Sequence, residues 1–169
     1  CIKLAKLNLK LHNIREDFLH KLSKHIIDEN QIICVEDLSV ESMLRKASPD
    51  KRKMPRWEEK LLHKNIADCG WCSFVNKLIY KAKWYGRELI KVSRYFPSSQ
   101  LCNHCNWQYK DLAKNCKQWS CWNCWNWNNR NINAAKNILA EGLRIRTSGT
   151  EGIAYCPDVR PAVGGLLVG

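Results

Sequence analysis

Residues 102–139 read CNHCNWQYKDLAKNCKQWSCWNCWNWNNRNINAAKNIL. Two Cys-x-x-Cys pairs, Cys102 with Cys105 and Cys121 with Cys124, stand fifteen residues apart. That spacing is the two-knuckle pattern of a zinc ribbon, in which four thiolates enclose a tetrahedral zinc ion. Four ordinary buried cysteines would have no reason to fall into paired knuckles at this separation. The residue after a knuckle's second cysteine usually turns with positive φ, which Asn106 tolerates and Trp125 does not, so the second knuckle is expected to be distorted. Cys116, between the knuckles, reads as a packed or spare thiol. Segment 126–133 then carries Asn126, Asn128, Asn129, Asn131 and Asn133 and no acid. Ile132, Ala135 and Leu139 follow at helical spacing, which predicts a helix with Asn131 as its N-cap and Gly142 just past its end.

Upstream, Leu7, Leu11, Ile14, Phe18, Leu22 and Ile26 recur every three or four residues and predict an amphipathic helix over 3–28. Residues 31–35, QIICV, are a short β-branched run that reads as a buried strand ending at Glu36. Residues 41–60 are charged and contain Pro49 and Pro55, which predicts a basic loop or lid presenting Arg45, Lys46, Lys51, Arg52, Lys53 and Arg56. Those cations serve either phosphate contact or simple solvation. Trp71, Phe74, Val75, Leu78, Ala82 and Tyr85 give a second helical stripe ended by Gly86, and residues 88–93 (ELIKVS) alternate as a strand. Cys69-Gly-Trp-Cys72 has the form of a redox pair but lies within helical periodicity and follows no strand. The expected order is helix, strand, loop, helix, strand, ribbon, helix. From Gly142 onward six glycines in 28 residues, with Pro157 and Pro161, predict a flexible tail.

The 169 residues carry 28 Lys plus Arg against 16 Asp plus Glu, a formal charge of +12, which suits a polyanionic partner such as nucleic acid. Charge alone is equally compatible with a soluble basic protein. Neither a leader-like segment nor an apolar run of membrane-spanning length is visible, so a cytoplasmic setting is expected. The ten cysteines then point to metal ligation in a reducing compartment. The chain opens on Cys1 rather than Met and is expected to be a piece of a longer protein.

The stretches IICVEDLSV, FVNKLIYKAKWYGRELIKVSRYFPSSQLCNHC and INAAKNILAEGL resemble the carboxy-terminal half of the TnpB (OrfB-type) transposon proteins, RNA-guided nucleases related to type V CRISPR effectors. The resemblance spans residues 10–160, with the motifs in order. It implies an α/β fold: a partial RNase H-like (RuvC-like) nuclease core over 1–96 that includes the basic loop 41–60, a zinc ribbon over 97–128, a last core helix over 129–142 and the tail over 143–169. It also implies DNA and guide RNA as partners, transposition as the setting, structural Zn²⁺ on Cys102, Cys105, Cys121 and Cys124, and catalytic Mg²⁺ held by three acids.

Of those acids only the second has a counterpart here, Glu36, with Asp37 beside it. The first would lie upstream of Cys1. The third belongs to a family segment resembling Asp-Arg-Asp-x-Asn-Ala-Ala, which stands here as Asn129-Arg130-Asn131-Ile132-Asn133-Ala134-Ala135. An amide caps a helix as well as a carboxylate does. It supplies no charge to hold hard Mg²⁺ ions or to activate water. The expectation is a truncated, catalytically inactive copy that binds nucleic acid through Arg45, Lys46, Lys51, Arg52, Lys53, Arg56 and Arg130. The alternative is a non-enzymatic zinc ribbon that binds protein, or binds nucleic acid with exposed Trp107, Trp122, Trp125 and Trp127 joining those cations. His104 reads as an exposed knuckle residue, and His12, His20, His25 and His63 as helix-surface residues.

Overall fold

The computed structural model describes residues 2–45, 55–113 and 115–149. Two five-residue strands form the centre. Strand β1 (Ile32–Glu36) pairs in parallel with β2 (Glu88–Val92), Ile32 opposite Glu88 and Glu36 opposite Val92. Parallel neighbours require a crossover, and here it is helical: α2 (Val40–Leu44), α3 (Arg56–Asp68) and α4 (Trp71–Trp84). Helix α1 (Ile2–Glu29) precedes the sheet.

Alternation along the strands assigns the two faces. Ile33, Val35 and Leu89 point toward α1 and α4, where they bury against Ile27, Leu78 and Ala82. Cys34, Glu36, Ile90 and Val92 face the other way, toward α5 (Arg130–Ser148). Gly142 is inside α5 and is what lets it approach. A Cβ there would stand 3.0 Å from Cys34 Cβ, closer still to Cys34 Sγ, and 3.7 Å from Val92. Further along the helix, Arg146 forms a two-pronged ion pair with Glu88 at 2.6 and 2.9 Å. Helix α5 therefore runs antiparallel to the strands, and its first turn lies toward the strand end that carries Glu36.

Several expectations from the sequence need correction. The predicted apolar stripe of α1 is largely exposed, Phe18 by 60%, while Leu19, Ser23 and Ile27 are buried. The reason is that α1 meets α4 along a polar seam. Lys77 Nζ donates to Glu16 at 2.6 Å and Ser73 at 2.7 Å, and Lys81 Nζ donates to His20 O at 2.6 Å and Ser23 Oγ at 2.7 Å. The predicted loop 41–60 is helical at both ends. Ser39 caps α2 through a bond from Ser42 N, and Pro55 occupies the start of α3, where a missing N–H costs nothing. The Cys69–Cys72 pair spans the α3–α4 junction, turned by Gly70 at φ 61°, and both thiols are exposed.

The last helix differs most from expectation. Its N-cap is Asn129, whose side chain accepts from Asn131 N and Ile132 N, and its C-cap is Gly149 at φ 64°. It therefore runs six residues past Gly142, into the segment expected to be tail. Ile132, Ala135 and Leu139 are exposed, and the buried positions are Asn133, Asn137 and Gly142. The polar face is the inner one because it meets backbone groups of the ribbon, whose carbonyls and amides need partners.

Candidate metal centre and nucleic-acid interface

The ribbon is built on the antiparallel pair β3 (Gln118–Ser120) and β4 (Trp127–Asn129) and on a bridge between Leu101 and Gln108. Its two knuckles are near copies. Cys102 N donates to Trp107 O at 2.9 Å and Asn106 N to Cys102 O at 2.8 Å; Cys121 N donates to Asn126 O at 2.9 Å and Trp125 N to Cys121 O at 2.8 Å. Asn106 sits at φ 59° and Trp125 at φ 58°. The second knuckle is thus undistorted, contrary to expectation. The backbone imposes the turn and the tryptophan bears the strain, about 1–3 kcal/mol for a bulky residue in the left-handed region.

The Sγ atoms of Cys102, Cys105, Cys121 and Cys124 lie within 4.8 Å of one another. Cys102 and Cys124 are 3.7 Å apart, and Cys105 and Cys121 3.6 Å. A tetrahedral ion with metal–sulfur bonds of about 2.3 Å has sulfur–sulfur edges of about 3.8 Å, so the donor set fits a zinc-sized ion. The thiols already differ. A hydrogen bond from Asn123, then one from the Trp107 backbone, pulls Cys105 down to about 6. At Cys124 the Asn126 backbone favours the thiolate, but burial and the neighbouring Cys105, Cys102 and Cys121 outweigh it and push the thiol up to about 12. Four sulfurs this close cannot all ionise without a cation among them. Cys116 is outside the cluster and donates to Gln118 O at 3.0 Å.

An asparagine clamp joins this centre to α5. Asn133 Oδ1 accepts from Asn103 N at 2.9 Å and Asn103 Nδ2 at 2.8 Å, while its Nδ2 donates to Leu101 O at 2.6 Å. Asn137 Nδ2 donates to Ser98 O at 2.7 Å and Leu101 O at 2.8 Å. Asn128 accepts from Asn103 and Asn126 and lies 3.8 Å from Cys102 Sγ. The sequence reading did not single out this clamp. The signal was the i, i+4 spacing of Asn133 and Asn137, which places both amides on one helix face.

Glu36 is half-buried at the end of β1, and burial raises its carboxyl above the usual value. Asp37 is committed elsewhere, 2.6 Å from Arg94 and 3.8 Å from Lys91. Asn131 is exposed on the first turn of α5. Among the described residues the four cysteines are the one group of three or more His, Cys, Asp or Glu side chains close enough to share an ion. Of the expected nucleic-acid cations, Arg45 is exposed and pairs with Glu41, and Arg56 is exposed at the start of α3. Arg130 donates to Ala113 O at 3.0 Å and Ser99 Oγ at 3.4 Å and so helps seat the ribbon on α5. Lys46, Lys51, Arg52 and Lys53 lie outside the described residues. None of the described helices is long and apolar enough to cross a membrane.

The described residues form an α/β core, a parallel strand pair packed between helices, bearing a ribbon whose four cysteines are placed to share one metal ion. Comparison with known proteins finds similarity to both parts. The OrfB_IS605 family model, described as "Probable transposase", matches residues 2–47, and the model for "Cas12f1-like, TNB domain" matches 71–138. A Streptomyces pristinaespiralis protein named as an inferred RNA-guided DNA endonuclease is 37% identical over 147 residues, 87% of this chain and 33% of the relative. A TnpB-like protein, L79, of Acanthamoeba polyphaga mimivirus is 29% identical over 83% of this chain and 25% of its own length. A Cas12f1 chain solved by cryo-EM with sgRNA and target DNA superposes with a TM-score of 0.55 at 24% identity, covering 80% of this chain and 36% of that one. This chain thus carries segments that match both family models, and over most of its length it is similar to proteins named as RNA-guided DNA endonucleases and as TnpB-like. It spans about a third of the length of the curated relatives it matches.

Proposed function

We propose that this chain binds DNA, and guide RNA where one is present, as part of a transposon-encoded TnpB-type system, and that it does not itself cut DNA. One observation carries the reading: amides stand at Asn129 and Asn131, where the family resemblance places aspartates, while the helix cap they form is intact. What supports the fold has been kept, and the charge needed for two-metal hydrolysis has gone. With an amide at the third position, Glu36 lacks the carboxylate partner that the resemblance places there, and a neutral oxygen does not help hold Mg²⁺ ions against their water shells. Zinc is assigned to Cys102, Cys105, Cys121 and Cys124, where it supplies folding energy to the ribbon and takes no part in hydrolysis. Nucleic-acid binding is supported by the +12 charge and by the relatives named as RNA-guided DNA endonucleases. The assigned contacts are Arg45, Lys46, Lys51, Arg52, Lys53 and Arg56, with Arg130 holding the ribbon in place.

The test is cleavage of a labelled duplex in Mg²⁺ or Mn²⁺, with and without guide RNA, using Glu36→Ala as the control for contaminating nuclease. No cutting above that control is expected. Metal-dependent cutting by the unmodified chain that disappears in Glu36→Ala would overturn the inactive assignment.

A further inference from the structure

We propose that the cleft on the second knuckle, rimmed by Trp122 and Trp125, is a stacking site for an unpaired base of a single-stranded nucleic acid, with the adjoining phosphate held at Lys117. The proposal rests on the nucleic-acid-binding reading above and deepens it by naming the form of the ligand and the side chains that grip it.

Trp125 is the first observation. Its backbone at φ 58° suits Gly or Asn, and the matching position of the first knuckle is Asn106 at φ 59° with the same hydrogen bonds. The turn therefore has no need of an indole. Nor does the core, because Trp125 is 74% exposed. A strained residue that neither the backbone nor the packing requires points to a ligand.

The surroundings give that ligand its shape. Trp122 is 63% exposed, and its ring centroid lies 6.4 Å from that of Trp125, the planes inclined at 52°. The two indoles make a tilted contact with each other and leave most of their remaining surface exposed to a ligand. Leu112 and Trp119, both buried, floor a hollow of about 380 Å³. Cys116 lines this hollow and also a second one of about 550 Å³, whose wall includes Lys117 and Arg130. The aromatic hollow is thus flanked by a cationic one. Lys117 is exposed and has no acidic partner among the described residues. Asp111 on the aromatic side disfavours a phosphate there and can accept from the exocyclic amine of a base. Apolar faces for a base beside a cation for its phosphate are what sequence-tolerant single-strand binders present.

The experiment uses the zinc-loaded 169-residue chain and a labelled 15-nucleotide single strand of mixed sequence, with affinity read by anisotropy across a salt series. Trp125→Asn should lower affinity about tenfold, within the range for loss of one stacked base. Its salt slope should not change, because stacking releases no counterion. Zinc content and thermal midpoint should equal or exceed those of the parent, since Asn suits the turn. Trp122→Ala should weaken binding in the same direction, and Lys117→Gln should reduce the slope by about 0.7, one phosphate contact. Duplex affinity should barely respond to Trp125→Asn. If both tryptophan variants bind the single strand as the parent does, the stacking site is wrong while the nucleic-acid reading stands. If the parent binds no oligonucleotide, both fall. A proline-rich peptide captured by the parent and released by Trp125→Asn, with oligonucleotide binding unchanged, would reassign the cleft to protein and overturn the proposal.

Discussion

At Gly142 one absent methyl group sets the distance between α5 and the sheet. Ala at this position gains about 1 kcal/mol of helix propensity but forces Cys34 and its strand aside, a clash costing about 1–3 kcal/mol. Gly142→Ala is therefore expected to lower the denaturation midpoint, and adding Cys34→Ala should recover part of the loss, a coupling readable in a double-mutant cycle. Glu36 gives a second residue-scale expectation. Its carboxyl is raised by burial, so between the unfolded and folded values the native state holds the extra proton, and stability falls as pH rises through that window. Glu36→Gln should accordingly stabilise the chain at pH 7, and the gain should shrink to nothing once pH falls below the usual carboxylate value. A gain that grew toward acid pH would contradict the burial argument. The misfit of Trp125 was visible in the sequence, but its outcome was not. Propensity says what a residue resists, while the two knuckle hydrogen bonds at 2.8 and 2.9 Å decide which side yields.

At the scale of elements, the ribbon was legible because metal geometry fixes the spacing of its cysteines, β1 and β2 because their apolar residues are the buried ones, and α4 at Val75, Leu78 and Ala82, though not at the buried Lys77 and Lys81. The face of α5 was not legible. An apolar count puts Ile132, Ala135 and Leu139 inward, whereas Asn133 and Asn137 go there to satisfy the carbonyls of Ser98 and Leu101. A helix packed on irregular backbone follows unpaired peptide groups rather than hydropathy. This packing links the ribbon's fate to the helix. The purified chain should contain about one zinc, and stripping it should expose to hydrogen exchange both the knuckle amides and the first turns of α5. The amides of α4 and β2, which pack in the separate core around Leu78 and Leu89, should remain protected. Uniform loss of protection would show that the two parts unfold as one unit.

For the whole molecule, the chain was readable as basic and as a partial α/β core, and the exposure of α1 was not. Its pattern at Leu7, Leu11, Ile14 and Phe18 is a true helical stripe, but the described residues offer nothing to cover it, and the long-range partner of a surface cannot be read from local periodicity. The stripe and the net charge act on solution behaviour in opposite directions. Repulsion between copies carrying +12 holds them apart at low ionic strength, and added salt screens it within a Debye length of about 10 Å at 0.1 M. Apolar attraction along α1 is not screened. Light scattering should therefore show the chain dispersed in dilute buffer and increasingly clustered as salt is added, and Phe18→Ser with Ile14→Ser should abolish the clustering. Colloidal stability in this chain is thus an ionic-strength-gated balance, written into the first five turns of its longest helix.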